Sequence, residues 1–393
     1  CELQVVTGLP GVDAAYGPGD FLRFATLGIR PKGFAPGRRG AVLFLGGELT
    51  NAVLLGKRLG YPALAYTEGF VNWTDSFARF AVPYAATREK LLAKGVPEEK
   101  VTVVGNLMLD AIRVQRKPAE VREELGASGR ELVLLLPGSR PAEVEFMTPF
   151  LVKTADLLRK ARPETAFFLS LSPFAQPAQL GAALDGTSAA ELGVSARFVS
   201  AEDGSADPPA PPDAPEAAVP GEGAVGEILT GEGTRIPVRR GRRFDLMAAA
   251  DLALTIPGTN TAELGYLGAP MVVVLPLTHP ERIPLEGLAG LIGNLPRLGK
   301  ALKRRILPRL AARLPYAAWP NQLAQDYVVP ELRGEVTPEA VAAEAARLLA
   351  DAAGRAAMSG RLRRTMGEPG AARRLASLVA REIARRFDGE TRP

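Results

Sequence analysis

Histidine and cysteine are almost absent from this 393-residue chain: one of each occurs, His279 and Cys1. A single cysteine excludes an internal disulfide framework and any cysteine-rich metal site. A single histidine excludes a multi-histidine metal centre and confines imidazole acid–base chemistry to position 279. No uninterrupted apolar run reaches the roughly 18 residues that a spanning helix needs. No internal repeat at the period of solenoids or propellers is visible. No RNA- or DNA-binding signature occurs, and Trp73 and Trp319 are far apart, so nucleic acid is not an expected partner. Neither a metal nor another cofactor is expected.

What the chain does contain is ordinary for a globular protein, with 47% hydrophobic and 23% charged residues. Its length asks for two domains rather than one. The net charge of +5 mildly favours anionic partners. The chain opens at Cys1 instead of Met and reads as one missing its natural start, with a processed lipoprotein cysteine as the alternative.

Strand-like and helix-like stretches alternate, the pattern of parallel α/β layers. Residues 41–46 read as a buried strand, 47–60 as a helix capped near Thr50 or Asn51 and stopped by Gly60, and 62–66 as a second strand. A weaker strand near 77–84, a helix over 85–94 and a strand at 101–104 follow. After the polar break at 126–130 the pattern restarts with a strand at 132–136, a helix to 161 and a strand at 166–171. Residues 203–223 hold Pro, Gly, Ala and acids with almost no aliphatic anchor, and read as a disordered insertion. Strands at 235–238, 251–256 and 271–275 come next, and the C-terminal residues 338–386 read as one or two amphipathic helices.

Three stretches carry chemistry. In LLLPGSRPAEVE a buried strand runs into Pro137-Gly138-Ser139-Arg140 and then a helix. Gly138 allows a tight turn, free N–H groups at a helix start attract anions, and Arg140 offers a planar fork for phosphate oxygens. A helix-capping turn with a solvated arginine is the equal alternative. In ADLALTIPGTNTAELG a second strand ends in Pro257-Gly258, with Thr259, Thr261 and Glu263 following. Hydroxyls and N–H groups there suit a diphosphate, and Glu263 one turn inside suits ribose hydroxyls; an ordinary N-cap with a capping-box glutamate is the alternative. Two such turns at the carboxyl ends of parallel strands sit where open α/β sheets bind ligands. In WPNQLAQDYVVPELRGEVTPEA, Asn321 either caps a helix or meets a sugar or uracil edge, and Thr337 is an N-cap followed by proline.

These stretches, in this order, resemble the lipid-A-disaccharide synthase family of GT-B glycosyltransferases. LLLPGSRPAEVE is similar to the family's Leu-Leu-Pro-Gly-Ser-Arg-x-x-Glu motif, GTNTAELGYLGAPMVV to its Gly-Thr-x-Thr-Leu-Glu segment, and WPNQLAQDYVVPELRGEVTPEAVA to its Leu-Pro-Asn stretch. GEPGAARRLASLV resembles its terminal helix region, and VPYAATREKLLAKGVPEEKVTVVGNLMLDAI the end of its first domain. The resemblance implies an α/β GT-B fold with two Rossmann-like domains facing across a cleft. It implies an acceptor domain over 1–126, incomplete at its start, a UDP-sugar domain over 127–345 containing the insertion, and helices over 346–393 packing back across the domains. It further implies transfer of a sugar of N-acetylglucosamine type from UDP to a lipid or lipid-linked acceptor, with inversion and without a metal. Carried over by motif, Arg140 and Ser139 meet the diphosphate. Gly258, Thr259 and Thr261 line the phosphate turn, Glu263 holds the ribose, and Asn321 and Gln322 lie near the donor. The family's Gly-Glu-x-Ser-Gly-Asp loop is missing. Its Asp-x-Pro-Asp-Phe-Asn reads LGGELTNAV here, which keeps Asn51 and leaves Glu48 as the nearby carboxylate. Glu48 and Asn51 are therefore the catalytic candidates, with Glu68 and Asp75 as other bases. A UDP-sugar epimerase and a non-catalytic nucleotide-sugar binder are the alternative functions, the former disfavoured by the single histidine.

Residues 292–313 carry seven Lys/Arg and no acid, after an apolar, glycine-rich stretch. Residues 285–313 therefore read as contacting an anionic membrane surface, or as a solvated basic helix. With the resemblance, this implies a cytoplasmic protein peripheral to the inner membrane. His279 follows a core strand, as a donor contact or a solvated loop residue.

Overall fold

Alternating short apolar runs and helical stretches fold into two separate parallel sheets. The computed structural model describes residues 6–7, 10–69, 71–172, 175–201, 223–241, 243–277 and 315–389. The expected insertion at 203–223 (apart from Gly223), His279 and the basic residues 285–313 lie outside the described residues. The chain divides into two compact units, Cys1–Ala111 with Glu368–Pro393, and Ile112–Gly367. The expected division at 126/127 thus falls after Ala111, and the last helix belongs to the first unit.

The first unit holds a four-stranded parallel sheet in sequence order: β1 (Val42–Phe44), β2 (Ala63–Tyr66), β3 (Arg79–Val82) and β4 (Val101–Val103). Successive side chains on a strand face opposite ways, and the two faces of β2 are filled by different partners. Ala63 and Ala65 join Leu49, Ala52 and Val53 of helix α1 (Leu49–Leu59) and Leu91 of helix α2 (Ala85–Ala93). Leu64 and Tyr66 join Leu375 and Leu378 of the C-terminal helix, Ala371–Asp388. Gly60 closes α1 in the left-handed conformation, as its position predicts. The expected cap at Thr50 or Asn51 is displaced: Glu48 holds the N-cap position and its side chain makes no cap bond.

The second unit carries an eight-stranded sheet in the order β12-β11-β10-β5-β6-β9-β8-β7. Its strands are β5 (Leu132–Leu136), β6 (Ala166–Leu171), β7 (Ala196–Ser200), β8 (Gly223–Thr230), β9 (Arg235–Arg240), β10 (Leu252–Thr255), β11 (Met271–Pro276) and β12 (Glu331–Gly334). All neighbours are parallel from β12 to β9, whereas β8 pairs antiparallel with both β9 and β7. Every residue of β5, β6 and β10 is buried, as expected for strands covered on both faces. The half-exposed hairpin β7–β8 lacks that continuous apolar run, so periodicity did not mark it. The chain leaves β5 toward β6 on one side and returns to β10 on the other. This makes the gap beyond the carboxyl ends of β5 and β10 the point of order reversal.

Candidate functional site

Two turns meet at that reversal point. The first joins β5 to helix α3 (Pro141–Ala161), the second β10 to helix α4 (Thr259–Leu267). Gly138 has φ +114°, and a Cβ there would lie 2.8 Å from Ile256 Cδ1, on the second turn, and 2.5 Å from Glu143 Oε2. Only glycine lets the two turns close on each other.

The first turn corrects the expectation of free N–H groups. Glu143 Oε2 accepts from the N–H of Ser139 (2.9 Å) and of Arg140 (3.1 Å), and Glu143 Oε1 from Arg140 Nη1 (3.0 Å). The capping reading therefore holds for the backbone of this turn. The Arg140 side chain remains 47% exposed, so its fork is still presented to solvent.

At the second turn the open donors are different. Thr261 N–H bonds back to Gly258 O (3.0 Å), while the N–H groups of Thr259 and Asn260 have no acceptor among the described residues. Gly258 has φ +144°, and nothing lies within 4 Å of the place its Cβ would occupy. Gly258 and Thr259 are exposed, which leaves room for an oxygen-rich group at the amino end of α4. Thr261 is fully buried and structural: its hydroxyl donates to Gly258 O (2.8 Å) and accepts from Trp319 N–H (3.1 Å). The phosphate-turn role expected for Thr261 is thus restricted to shaping the turn.

Glu263 lies one turn further along α4 and is 2% exposed. Its Oε1 accepts from Arg243 Nη2 at 2.6 Å, and its Oε2 has no partner among the described residues. Burial pushes its carboxyl above the ordinary range, against the pull of the Arg243 charge and hydrogen bond. A buried carboxylate oxygen without a donor is costly unless a ligand hydroxyl supplies one. Arg243, the first residue of the helix Arg243–Ala249, was missed in the sequence; the signal was an arginine-rich run from Arg239 to Arg243, twenty residues before Glu263.

Asn321 is not available to a ligand. On helix α5 (Trp319–Ala324) it is fully buried, and all four of its hydrogen-bonding positions are used. Its Oδ1 accepts from the N–H of Val328 (2.7 Å) and Val329 (2.9 Å), and its Nδ2 donates to Val329 O (2.9 Å) and Glu331 Oε1 (2.8 Å). Both expectations for it, cap and sugar contact, give way to a buckle between α5 and β12. Glu331, given no role in the sequence, completes the buckle by accepting from the N–H of Ala317 and Ala318. Gln322 is exposed and donates to Ala317 O at 3.2 Å.

Glu48 and Asn51 are exposed at the start of α1, at the carboxyl end of β1 in the first unit. Glu68 and Asp75 are exposed in the same unit. The structure thus places Ser139, Arg140, Gly258 and Thr259 on two abutting turns of the second unit, with buried Thr261 and Glu263 following on α4, and holds Glu48 and Asn51 in the other unit. Among the described residues no cluster of three His, Cys, Asp or Glu side chains suits a metal ion, and no helix is long and apolar enough to cross a membrane.

A family model described as lipid-A-disaccharide synthetase matches residues 95–185. The lipid-A-disaccharide synthase of Anaeromyxobacter dehalogenans (strain 2CP-1) is 30% identical over 268 residues, 67% of this chain and 52% of that protein. That of Thiobacillus denitrificans is 29% identical over 290 residues, 73% of this chain and 59% of that protein. The chain spans little more than half the length of these curated relatives. Among solved structures, S. aureus MnaA with UDP has a TM-score of 0.50 at 12% identity, covering 97% of this chain and 92% of the other. That likeness shows the fold: an α/β chain of GT-B type with Rossmann-like units.

Proposed function

We propose, from the premise that this chain is a divergent member of the lipid-A-disaccharide synthase family, that it transfers a sugar of N-acetylglucosamine type from a UDP donor to a lipid or lipid-linked acceptor. The observation that carries the reading is the pair of abutting turns at the reversal point, with exposed Arg140, the open N–H groups of Thr259 and Asn260, and the half-satisfied buried Glu263.

The chemistry needs a leaving group held at one place and a base at another. Arg140 and the amino end of α4 balance the charge that grows on the UDP diphosphate. Glu263 Oε2 accepts a hydrogen bond from a ribose hydroxyl, and Arg243 keeps that carboxylate oriented. Glu48 serves as the base that removes the acceptor hydroxyl proton, and Asn51 orients the acceptor. The freed oxygen attacks the anomeric carbon from the face opposite UDP. The bond to the diphosphate oxygen breaks, its electron pair leaves on UDP, and the configuration inverts. No metal takes part in this reading. Residues 285–313, cationic and apolar in sequence, support a peripheral position at the cytoplasmic face of the inner membrane.

Calorimetric titration with UDP tests the site. Binding is expected, and Arg140→Ala weakens it about tenfold through loss of charge-assisted hydrogen bonds. Equal binding by both proteins removes Arg140 from the site and leaves the first turn as a cap alone.

A further inference from the structure

Glu263 owes its hydrogen bond to Arg243, and Arg243 opens a helix of only seven residues, Arg243–Ala249. So short a helix keeps its place through its neighbours rather than through its own bonds. Both of its ends are fastened to one stretch, residues 115–124, which lies 127 to 130 positions earlier at the bonded pairs. At the start, Asp245 Oδ1 accepts from the N–H of Gln115 (2.7 Å) and of Arg116 (3.3 Å). At the end, Ala249 O accepts from Arg122 Nε (2.9 Å), and Arg122 Nη2 also pairs with Asp251 Oδ2 at 2.8 Å. The strand that feeds the helix is held as well. Arg239 pairs with Glu124, which also pairs with Arg116, and Arg240 Nη2 donates to Ala175 O at 2.5 Å.

Asp245 is the unusual member of this brace. It is 3% exposed, and its Oδ2 has no partner among the described residues. Arg240 Nε is likewise unpartnered among them, and both residues border one cavity of about 20 Å³. Burying a carboxylate with an open oxygen is unfavourable. Capping of its own helix does not account for it, because the bonded oxygen serves the amides of residues 115 and 116.

We propose that Asp245 is a positioning residue for the donor site: by holding residues 115 and 116 it fixes the first turn of the Arg243–Ala249 helix, and with it the reach of Arg243 to Glu263. The proposal rests on the reading of Glu263 as the ribose contact. The Arg243 side chain is 41% exposed, so packing alone does not fix it. Its guanidinium lies 4.9 Å from the Phe244 ring centroid, a contact within the same turn that moves with the turn. Positions two apart face different ways on a helix. The helix therefore acts as a spacer, braced through Asp245 and presenting Arg243 toward α4. A displaced first turn changes where Arg243 meets the carboxylate, and so where the free Glu263 oxygen points.

Calorimetric titration with UDP and with 2′,3′-dideoxy-UDP, which lacks the ribose hydroxyls, tests this role. The parent chain is expected to favour UDP about tenfold, the worth of a hydrogen bond to a carboxylate. Asp245→Ala lowers that preference to about twofold or less, while its affinity for the dideoxy ligand stays within about twofold of the parent. Asp245→Asn keeps an oxygen for the two amides and restores the preference. Arg243→Ala erases it, since Asp245 acts through Arg243. Without ligand, hydrogen exchange at Gln115 and Arg116 is faster in Asp245→Ala and parent-like in Asp245→Asn. Thermal melts confirm that the variants are folded. Asp245→Glu, which keeps the charge and moves the turn by one methylene, is expected to lower the preference likewise, and it decides the matter if the alanine variant does not fold. Equal weakening of both ligands by Asp245→Ala makes the role structural and overturns the proposal, as does a preference kept in the Asp245 or Arg243 variants. A parent chain that binds UDP without favouring it over the dideoxy ligand defeats the Glu263 contact and this role while leaving the Arg140 assignment standing. A parent chain that binds neither ligand defeats the donor site as a whole.

Discussion

Glu263 is a carboxylate held where burial works against its charge. Its burial raises the carboxyl pKa, and Arg243 compensates only one of its oxygens. Because the folded value lies above the unfolded one, the unfolded chain releases this proton first as pH rises, and stability is lost over the window between the two values. Glu263→Gln removes that dependence. The melting temperature of the wild type relative to the variant should therefore fall as pH rises from about 4, while UDP binding is weaker in the variant at every pH. A flat difference between the two melting curves contradicts the assignment. Asn321 makes the opposite case. Asn321→Ala takes the acceptor from Val328 N–H and Val329 N–H and the Asn321 donor from Val329 O, and is expected to cost about 3 kcal/mol of stability. Denaturant midpoints read that loss. Its UDP affinity per folded molecule should stay unchanged, whereas a ligand contact lowers affinity without a comparable loss of stability.

At the scale of elements, the sheet of the first unit is finished by a helix from the far end of the chain. Asp110, just before the chain leaves that unit, caps the Ala371–Asp388 helix by accepting from Gly370 N–H and from Ala372 N–H at 2.5 Å. Burial pushes the Asp110 carboxyl up, but the N–H groups of Ala372, Gly370 and Ala371 with the Arg374 charge outweigh it, and the net pKa is lowered. The cap is present above the ordinary carboxylate range and is lost as pH falls through the lowered value. Asp110→Ala should expose the amides of Leu375 and Leu378 to faster hydrogen exchange at neutral pH, and the wild type should approach that behaviour on acidification. Equal protection in both proteins at neutral pH denies the cap its role. Further along the same helix, the part-buried pair of Arg79 Nε and Glu382 Oε1 (2.8 Å) ties the helix to β3.

For the molecule as a whole, the two units have separate cores, so damage to one need not spread to the other. Phe80 is fully buried among the side chains of the first sheet. Phe80→Ala is expected to cost about 3–5 kcal/mol, read as lost exchange protection in β1–β4 while the β5 and β6 amides keep theirs. Simultaneous loss in both sheets means that the units unfold as one.

Much of this plan was legible in the chain. Near-continuous apolar runs marked β5 and β6 to the residue, because a strand buried on both faces favours apolar side chains throughout. Pro-Gly after β5 and β10 marked the turns, and Thr337 marked its helix start, accepting from Ala340 N–H as an N-cap does. These features depend on neighbours a few residues away, and their order carried the family resemblance. Tertiary structure alone decided how the polar groups are spent. A capping glutamate and a ligand-binding turn share one local pattern, and only distances showed Glu143 filling the first turn while Thr259 and Asn260 stay open. Asn321 could be a ligand contact or a buckle until β12 lay beside it. The partners of a buried polar group come from distant parts of the chain, so the residue's sequence neighbours do not reveal whether any bonding capacity is left for a ligand.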